Sequence, residues 1–409
     1  MEYTILQVGT AVADITPPLE VGLLTSSVRG EYTPFVATRL PLKARVLTLI
    51  AGDEAVALVS LDLLALSDTA TGGWVAFKEA LSGKILPENI IITCTHTHNA
   101  PESVGLSRLY LSDVYRSWLN EVKQRIKEAI QQAFDTTVPC TLSICSTILD
   151  GYSLQRRVPT AAGIIMSDAL QPVTPEMMRR EPVDRRVHGI RFCNDAGEVV
   201  ATLVHAICHP VHEMCLPHIS PDYPGELCLA LAAYGGNGMA LFLNGAAGDV
   251  NPPTVSGGPV YAYRHGGALA ALIANNEAWW PVDANAFAFV RREIQFPVRA
   301  VVDVPNKEDA LARISAVALG SVAIVFLPGE PFTETALEIE KASPFEHTLI
   351  AAYAENTIGY IPVAKAFKEG GYETGPGKWS FLEPSAAGML RDTTIHLLHH
   401  LNANIKRHI

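Results

Sequence analysis

Apolar residues in this chain fall into short runs of strand length that stop abruptly at polar residues, and into a few longer stretches of helical period. The clearest run is Ile90, Ile91, Ile92, Thr93 and Cys94, which ends at Thr95-His96-Thr97-His98-Asn99-Ala100-Pro101. Strands are likewise expected over 5–16, 44–50 and 55–64, the last two joined by a hairpin signal at Gly52 and Asp53. Further strands are expected over 138–149, 187–192, 199–208, 239–243, 322–326 and 349–353, with a tight turn at Asn194-Asp195-Ala196-Gly197. Helical spacing predicts helices over 67–82, over 222–234 and over 112–134, where Val114, Trp118, Leu119, Val122, Ile126, Ile130 and Phe134 share a stripe. Residues 151–182 are rich in Pro, Met and Arg without clear period and predict a long ordered loop. The expected fold is α/β, a mixed central sheet flanked by helices with the site at strand ends; parallel against antiparallel order stays open. No repeat, low-complexity segment or polar linker divides the sequence, which predicts one domain over 1–409.

At 48% hydrophobic and 18% charged residues the chain can bury a large core. A net charge of −11 without blocks of like charge argues against a nucleic-acid partner, and no 18-residue apolar stretch suggests membrane insertion. The first residues do not read as a signal peptide. Seven scattered cysteines without a Cys-x-x-Cys pair fit reduced thiols, a cytoplasmic location and no cysteine zinc site. A small-molecule substrate is expected, and the apolar composition leaves room for a homo-oligomer.

Several polar residues interrupt apolar runs. Asp62 lies inside a strand-like segment, where a carboxylate is costly unless paired, and is expected to be a hydrogen-bond hub. Alternate residues of an extended chain share a face, so His96 and His98 are expected to point the same way. Either could instead be satisfied by a backbone carbonyl. The strand ending at Cys208 delivers His209 before Pro210, and the strand ending at Phe326 delivers Glu330. Two histidines and a carboxylate from separate strand ends form a donor set that suits zinc. The glycine-rich stretch Asn244 to Pro253 would either present backbone N–H groups to an oxyanion or allow close packing.

The segments Ala13 to Pro17, Thr95 to Pro101, Ala206 to Pro210, Asn244 to Pro252, Leu327 to Glu330 and Tyr360 to Tyr372 together resemble the neutral/alkaline ceramidase family of zinc-dependent amidases. That resemblance implies one Zn2+ held by His96, His209, Glu330 and Tyr360. His98, Tyr372 and Arg157 would face the substrate carbonyl. His212 is a rival to His209, and Arg156 to Arg157, which is preferred for its place two residues before Pro159. The family's serine nucleophile is replaced by Asn251, whose amide cannot attack a carbonyl, so Asn251 would orient substrate or water. The family's C-terminal immunoglobulin-like domain is not evident. The resulting expectation is a zinc-dependent hydrolase of an amide bond in a small substrate other than ceramide, with metal-activated water as nucleophile. An esterase or lactonase on a polar substrate and a non-catalytic binding homologue are the alternatives.

Overall fold

The computed structural model describes residues 5–23, 32–283, 286–302 and 310–408. Twelve principal strands and the helices between them follow one order, strand-strand-strand-helix-strand-helix, three times over. In the first unit β1 (Gln7–Asp14), β2 (Lys43–Ala51) and β3 (Glu54–Leu61) lead through Trp74–Leu81 to β4 (Ile90–Cys94) and helix α1 (Asp113–Asp135). In the second, β5 (Val138–Ile148), β6 (Arg186–Asn194) and β7 (Val199–Ala206) lead through α2 (Asp222–Tyr234) to β8 (Met239–Asn244) and α3 (Pro259–Ala274). In the third, β9 (Phe287–Gln295), β10 (Leu311–Leu319) and β11 (Val322–Phe326) lead through α4 (Thr333–Lys341) to β12 (His347–Ala351) and α5 (Ala386–His408). Each unit pairs its strands in sequence order, the first two pairs antiparallel and the last parallel. The parallel pair follows from the helical crossover, which returns the chain to the same end of the sheet.

Antiparallel pairing of β1 with β5 fuses the first two units into a continuous sheet, extended by the short strand Trp280–Val282 on β5. The third unit forms a separate sheet. The two sheets stack through Leu47, Leu58, Ile91, Ile190 and Leu203 on one side and Val317, Ile324, Phe326 and Leu349 on the other. Helices cover the outer faces: α1 on the first unit through Trp118, Val122 and Ile126, α2 and α3 on the second through Leu227 and Leu269. Helices α4 and α5 cover the third through Ile339, Leu390 and Leu398. The inner strands are therefore buried on both faces, which is why they read as continuous apolar runs rather than alternating ones.

The expected mixed sheet with outer helices is observed. Helix α1 starts where the spacing placed it, with the Ser112 hydroxyl accepting from Tyr115 N–H at 3.2 Å. Asp62 is fully buried and acts as a hub, its Oδ2 accepting from Lys43 N–H and Arg45 Nη1 at 2.9 Å each. The region 151–182 differs from the expected loop: it holds the hairpin Arg157–Thr160 with Gly163–Met166 and a helical turn at Pro175–Met178. Among the described residues no helix is long and apolar enough to cross a membrane.

Candidate metal centre

The C-terminal ends of strands from all three units converge, as ligand sites do in open α/β sheets. His96 and His98 follow β4, His209 follows β7, and Glu330 follows β11. Asn251, beyond β8, is brought in by an antiparallel pairing of Val250–Asn251 with Leu154–Gln155. Tyr360 arrives beside Glu330 through the short parallel bridge that pairs the two residues directly.

His96 does not continue β4. The strand ends at Cys94, and His96 adopts φ 72°, a left-handed conformation that costs a non-glycine residue on the order of 1–3 kcal/mol. The shared-face geometry expected for His96 and His98 is thus replaced by a turn, held by the His96 N–H donating to Leu63 O at 2.9 Å. Their rings still lie 5.0 Å apart, edge to face. Tyr353, two residues beyond the corresponding strand β12, is also left-handed at φ 56°, and its ring stacks on His96 with centroids 3.9 Å apart.

The ring nitrogens are assigned by their partners. His96 Nδ1 lies 2.8 Å from Leu64 O, and His209 Nδ1 lies 2.7 Å from Ala247 O. A carbonyl only accepts, so each Nδ1 carries the proton and each neutral ring presents a bare lone pair at Nε2. These two Nε2 atoms are 3.2 Å apart, and Glu330 Oε2 lies 3.3 Å from the first and 3.2 Å from the second. Burial opposes ionisation of Glu330, and protonated imidazoles at His96 and His209 would hold its carboxyl well below the usual range. Burial, then the nearby Arg156, depresses His209 to about 4. Three acceptors facing one another at about 3 Å repel unless a cation or an added proton lies between them. His98 sits beside them with its buried Nε2 unpartnered, and burial followed by the other two histidines keeps it well below its ordinary pKa. The ligand atoms of His96, His98 and His209 all lie within 4.8 Å of one another. The donor set fits a divalent cation of the zinc type.

Arg156, rather than Arg157, reaches this cluster. Its Nη1 donates to His209 Nε2 at 3.2 Å and to Asn251 Oδ1 at 3.3 Å, and its Nη2 to the Tyr360 hydroxyl at 3.0 Å. Arg156 lies between the strands Leu154–Gln155 and Arg157–Thr160, and Arg157, the first residue of the second, turns away to Gly370 O at 2.7 Å and Glu369 Oε2 at 3.4 Å. Both guanidiniums meet on Glu373, Arg156 Nε at 2.7 Å and Arg157 Nη1 at 2.6 Å. Burial raises the Glu373 carboxyl, but the two arginines prevail and hold it below its ordinary value. Glu373 was missed in the sequence; its only signal is its place next to Tyr372. His212 lies elsewhere, paired with His265.

The cluster forms the floor of a cavity of about 450 Å3, a size that suits a small organic ligand. Its walls are mainly aliphatic, thioether and aromatic, including Leu106, Met166, Met214, Val255 and Phe381. Tyr372 stands at the half-exposed mouth, edge to face with Tyr360 at 5.7 Å and stacked on Trp379 at 5.7 Å. Burial pushes its phenol up to about 12, so it is a proton donor at neutral pH.

With 16% identity, the chain superposes on the crystal structure of neutral ceramidase from Pseudomonas aeruginosa with a TM-score of 0.77, over 99% of this chain and 75% of that one. A ceramidase complexed with C2 superposes with a TM-score of 0.78 at 16% identity, over 98% and 76%. The fold is that of neutral ceramidase. Neither a family model nor a curated protein matches the sequence. Within the ceramidase-like fold, the glycine-rich segment 244–253 serves close packing rather than anion binding. Gly245 N–H donates to Ala206 O at 3.0 Å and Gly248 N–H to Pro331 O at 3.1 Å, so neither faces the cavity. A Cβ at Gly248 would stand 2.5 Å from Glu330 O, so only glycine lets this segment lie against the backbone that carries the carboxylate.

Proposed function

We propose that this protein hydrolyses the amide bond of a small N-acyl compound at a zinc centre. The observation that carries the reading is the convergence of His96 Nε2, His209 Nε2 and Glu330 Oε2 on the floor of an apolar cavity. These three residues would hold the metal, with the Tyr360 hydroxyl as the fourth donor once Arg156 releases it. When bound, zinc supplies a polarised carbonyl and a water acidic enough to be deprotonated near neutral pH.

The chain's own residues account for the rest. His98 lines the cavity with a free imidazole nitrogen, and it takes a proton from the attacking water and returns it to the leaving nitrogen. Arg156 and Tyr372 donate to the carbonyl oxygen as charge develops there, Arg156 taking the role expected of Arg157. Arg157 acts through Glu373, the carboxylate it shares with Arg156. Asn251 orients the guanidinium through its Oδ1 and turns its amide N–H2 to the substrate; it forms no covalent intermediate. The reading includes a reducing compartment, supported by seven unpaired cysteines of which five are buried.

The test is turnover of matched N-acyl and ester compounds by protein stripped with a chelator and then reloaded with zinc. Amide hydrolysis that disappears on stripping and returns on reloading supports the reading. Full activity in the stripped protein contradicts it.

A further inference from the structure

Two carboxylates line the cavity, Glu330 at its floor and Asp168 on its wall. Asp168 lies in the turn Ser167–Ala169, directly after the strand Gly163–Met166. The turn is anchored to the site because Ser167 N–H donates to Arg156 O at 2.8 Å. The Asp168 Oδ1 is shielded from water and has no hydrogen-bond partner among the described residues. The cavity lining also includes Met166, Met214 and Val255, which offer no side-chain donor.

Asp62, Glu355, Asp249 and Glu102 each have donors on at least one oxygen, although Asp62 Oδ1 and Glu355 Oε1 also lack a partner. Asp62 is held by Arg45, Glu355 by Lys78 and Trp74, Asp249 by Gln155 and Thr333. Glu102 accepts from three backbone N–H groups and a hydroxyl. A carboxylate oxygen shielded from water and left without a donor is costly, and the cost is relieved when a ligand supplies the donor. The cations that line the cavity are otherwise engaged: Arg156 with Glu373, Asn251 and Tyr360, and Lys378 with Leu106 O at 3.3 Å.

We infer that Asp168 determines specificity by binding a cationic nitrogen carried by the substrate, so that the compounds taken are amides with one end bearing a protonated amine. The word substrate here rests on the amide-hydrolase reading; the binding does not.

The experiment uses the zinc-loaded full chain and three matched series of graded chain length: N-acetyl-diaminoalkanes, N-acetyl-aminoalcohols and N-alkylacetamides. Binding is measured by calorimetry, and turnover is followed separately. At the best chain length the ammonium-ended compound is expected to bind at least about tenfold more tightly than the methyl-ended one. In Asp168→Asn that preference should fall to within about threefold, with zinc content and thermal midpoint unchanged. Equal binding of the ammonium-ended and methyl-ended compounds by the wild type overturns the inference, as does a preference that survives in Asp168→Asn. A hydroxyl-ended compound that binds as tightly as the ammonium-ended one overturns the assignment of charge. The wild-type series decides alone if the variant fails to fold. Ammonium-selective binding without turnover of any amide sinks the hydrolase reading and leaves this one standing; turnover without selectivity does the reverse.

Discussion

Among the described residues, two buried histidine pairs bring ring nitrogens within hydrogen-bond distance of each other, and only one of them is built as a ligand set. In the first, His96 and His209 each commit Nδ1 to a backbone carbonyl, leaving two lone pairs 3.2 Å apart beside a carboxylate. In the second, His212 commits Nδ1 to Thr254 O at 2.9 Å, and its Nε2 meets His265 Nδ1 at 3.1 Å. Donor then faces acceptor along the whole chain, and the pair satisfies itself. What separates a metal site from core histidines is therefore which nitrogen is already occupied, more than burial or spacing, which the two pairs share.

The largest expected effect breaks the first pair. His96→Ala should lose both bound zinc and measurable turnover, read by elemental analysis and by kinetics. Next comes the distinction between the arginines. Arg156→Lys keeps the charge but loses the fork that spans His209, Asn251 and Tyr360, and should lower kcat by about 10²-fold to 10³-fold. Arg157→Lys should cost much less in kcat, because its guanidinium faces Glu369, Gly370 and Glu373. Equal losses would place both arginines at the substrate.

The second pair should answer in stability alone. His212→Ala strands the His265 Nδ1–H and should cost about 1–3 kcal/mol, seen as a lower urea midpoint with zinc content retained. Its pH dependence has a definite sign. Burial depresses His212 from 6.5 to about 4, with the Thr254 bond and Glu213 opposing. The unfolded chain therefore takes up a proton that the folded chain refuses between those values. The contribution of His212 is complete above about pH 6.5 and is lost as the pH falls toward 4, so the midpoint of His212→Asn should decline less steeply than that of the wild type. The smallest effect is expected from Asn251→Ser, which restores a hydroxyl but breaks the bond to Arg156; a clear gain in kcat would show that a nucleophile was wanted there.

The strands, the long helix and the ends that bear His96, His209 and Glu330 were legible because inner strands buried on both faces read as uninterrupted apolar runs. The threefold order of elements was not. It repeats a sequence of strands and helices whose corresponding ends carry unlike residues, His96 after β4 and Tyr353 after β12, so no residue pattern recurs. The left-handed turn at His96 was hidden as well, since Thr-His-Thr-His alternates as an extended strand would; tertiary bonds to Leu61 and Leu63 set it. Choosing between Arg156 and Arg157 required the course of the chain between the short strands Leu154–Gln155 and Arg157–Thr160. Glu373 carried no signal beyond its place next to Tyr372, because its partners lie more than two hundred positions away.

The most direct test of the account is the zinc content of protein purified without added metal, measured beside His96→Ala and His212→Ala. About one zinc per chain in the wild type and in His212→Ala, and none in His96→Ala, is the predicted result. Zinc retained in His96→Ala, or lost equally in both variants, would contradict it.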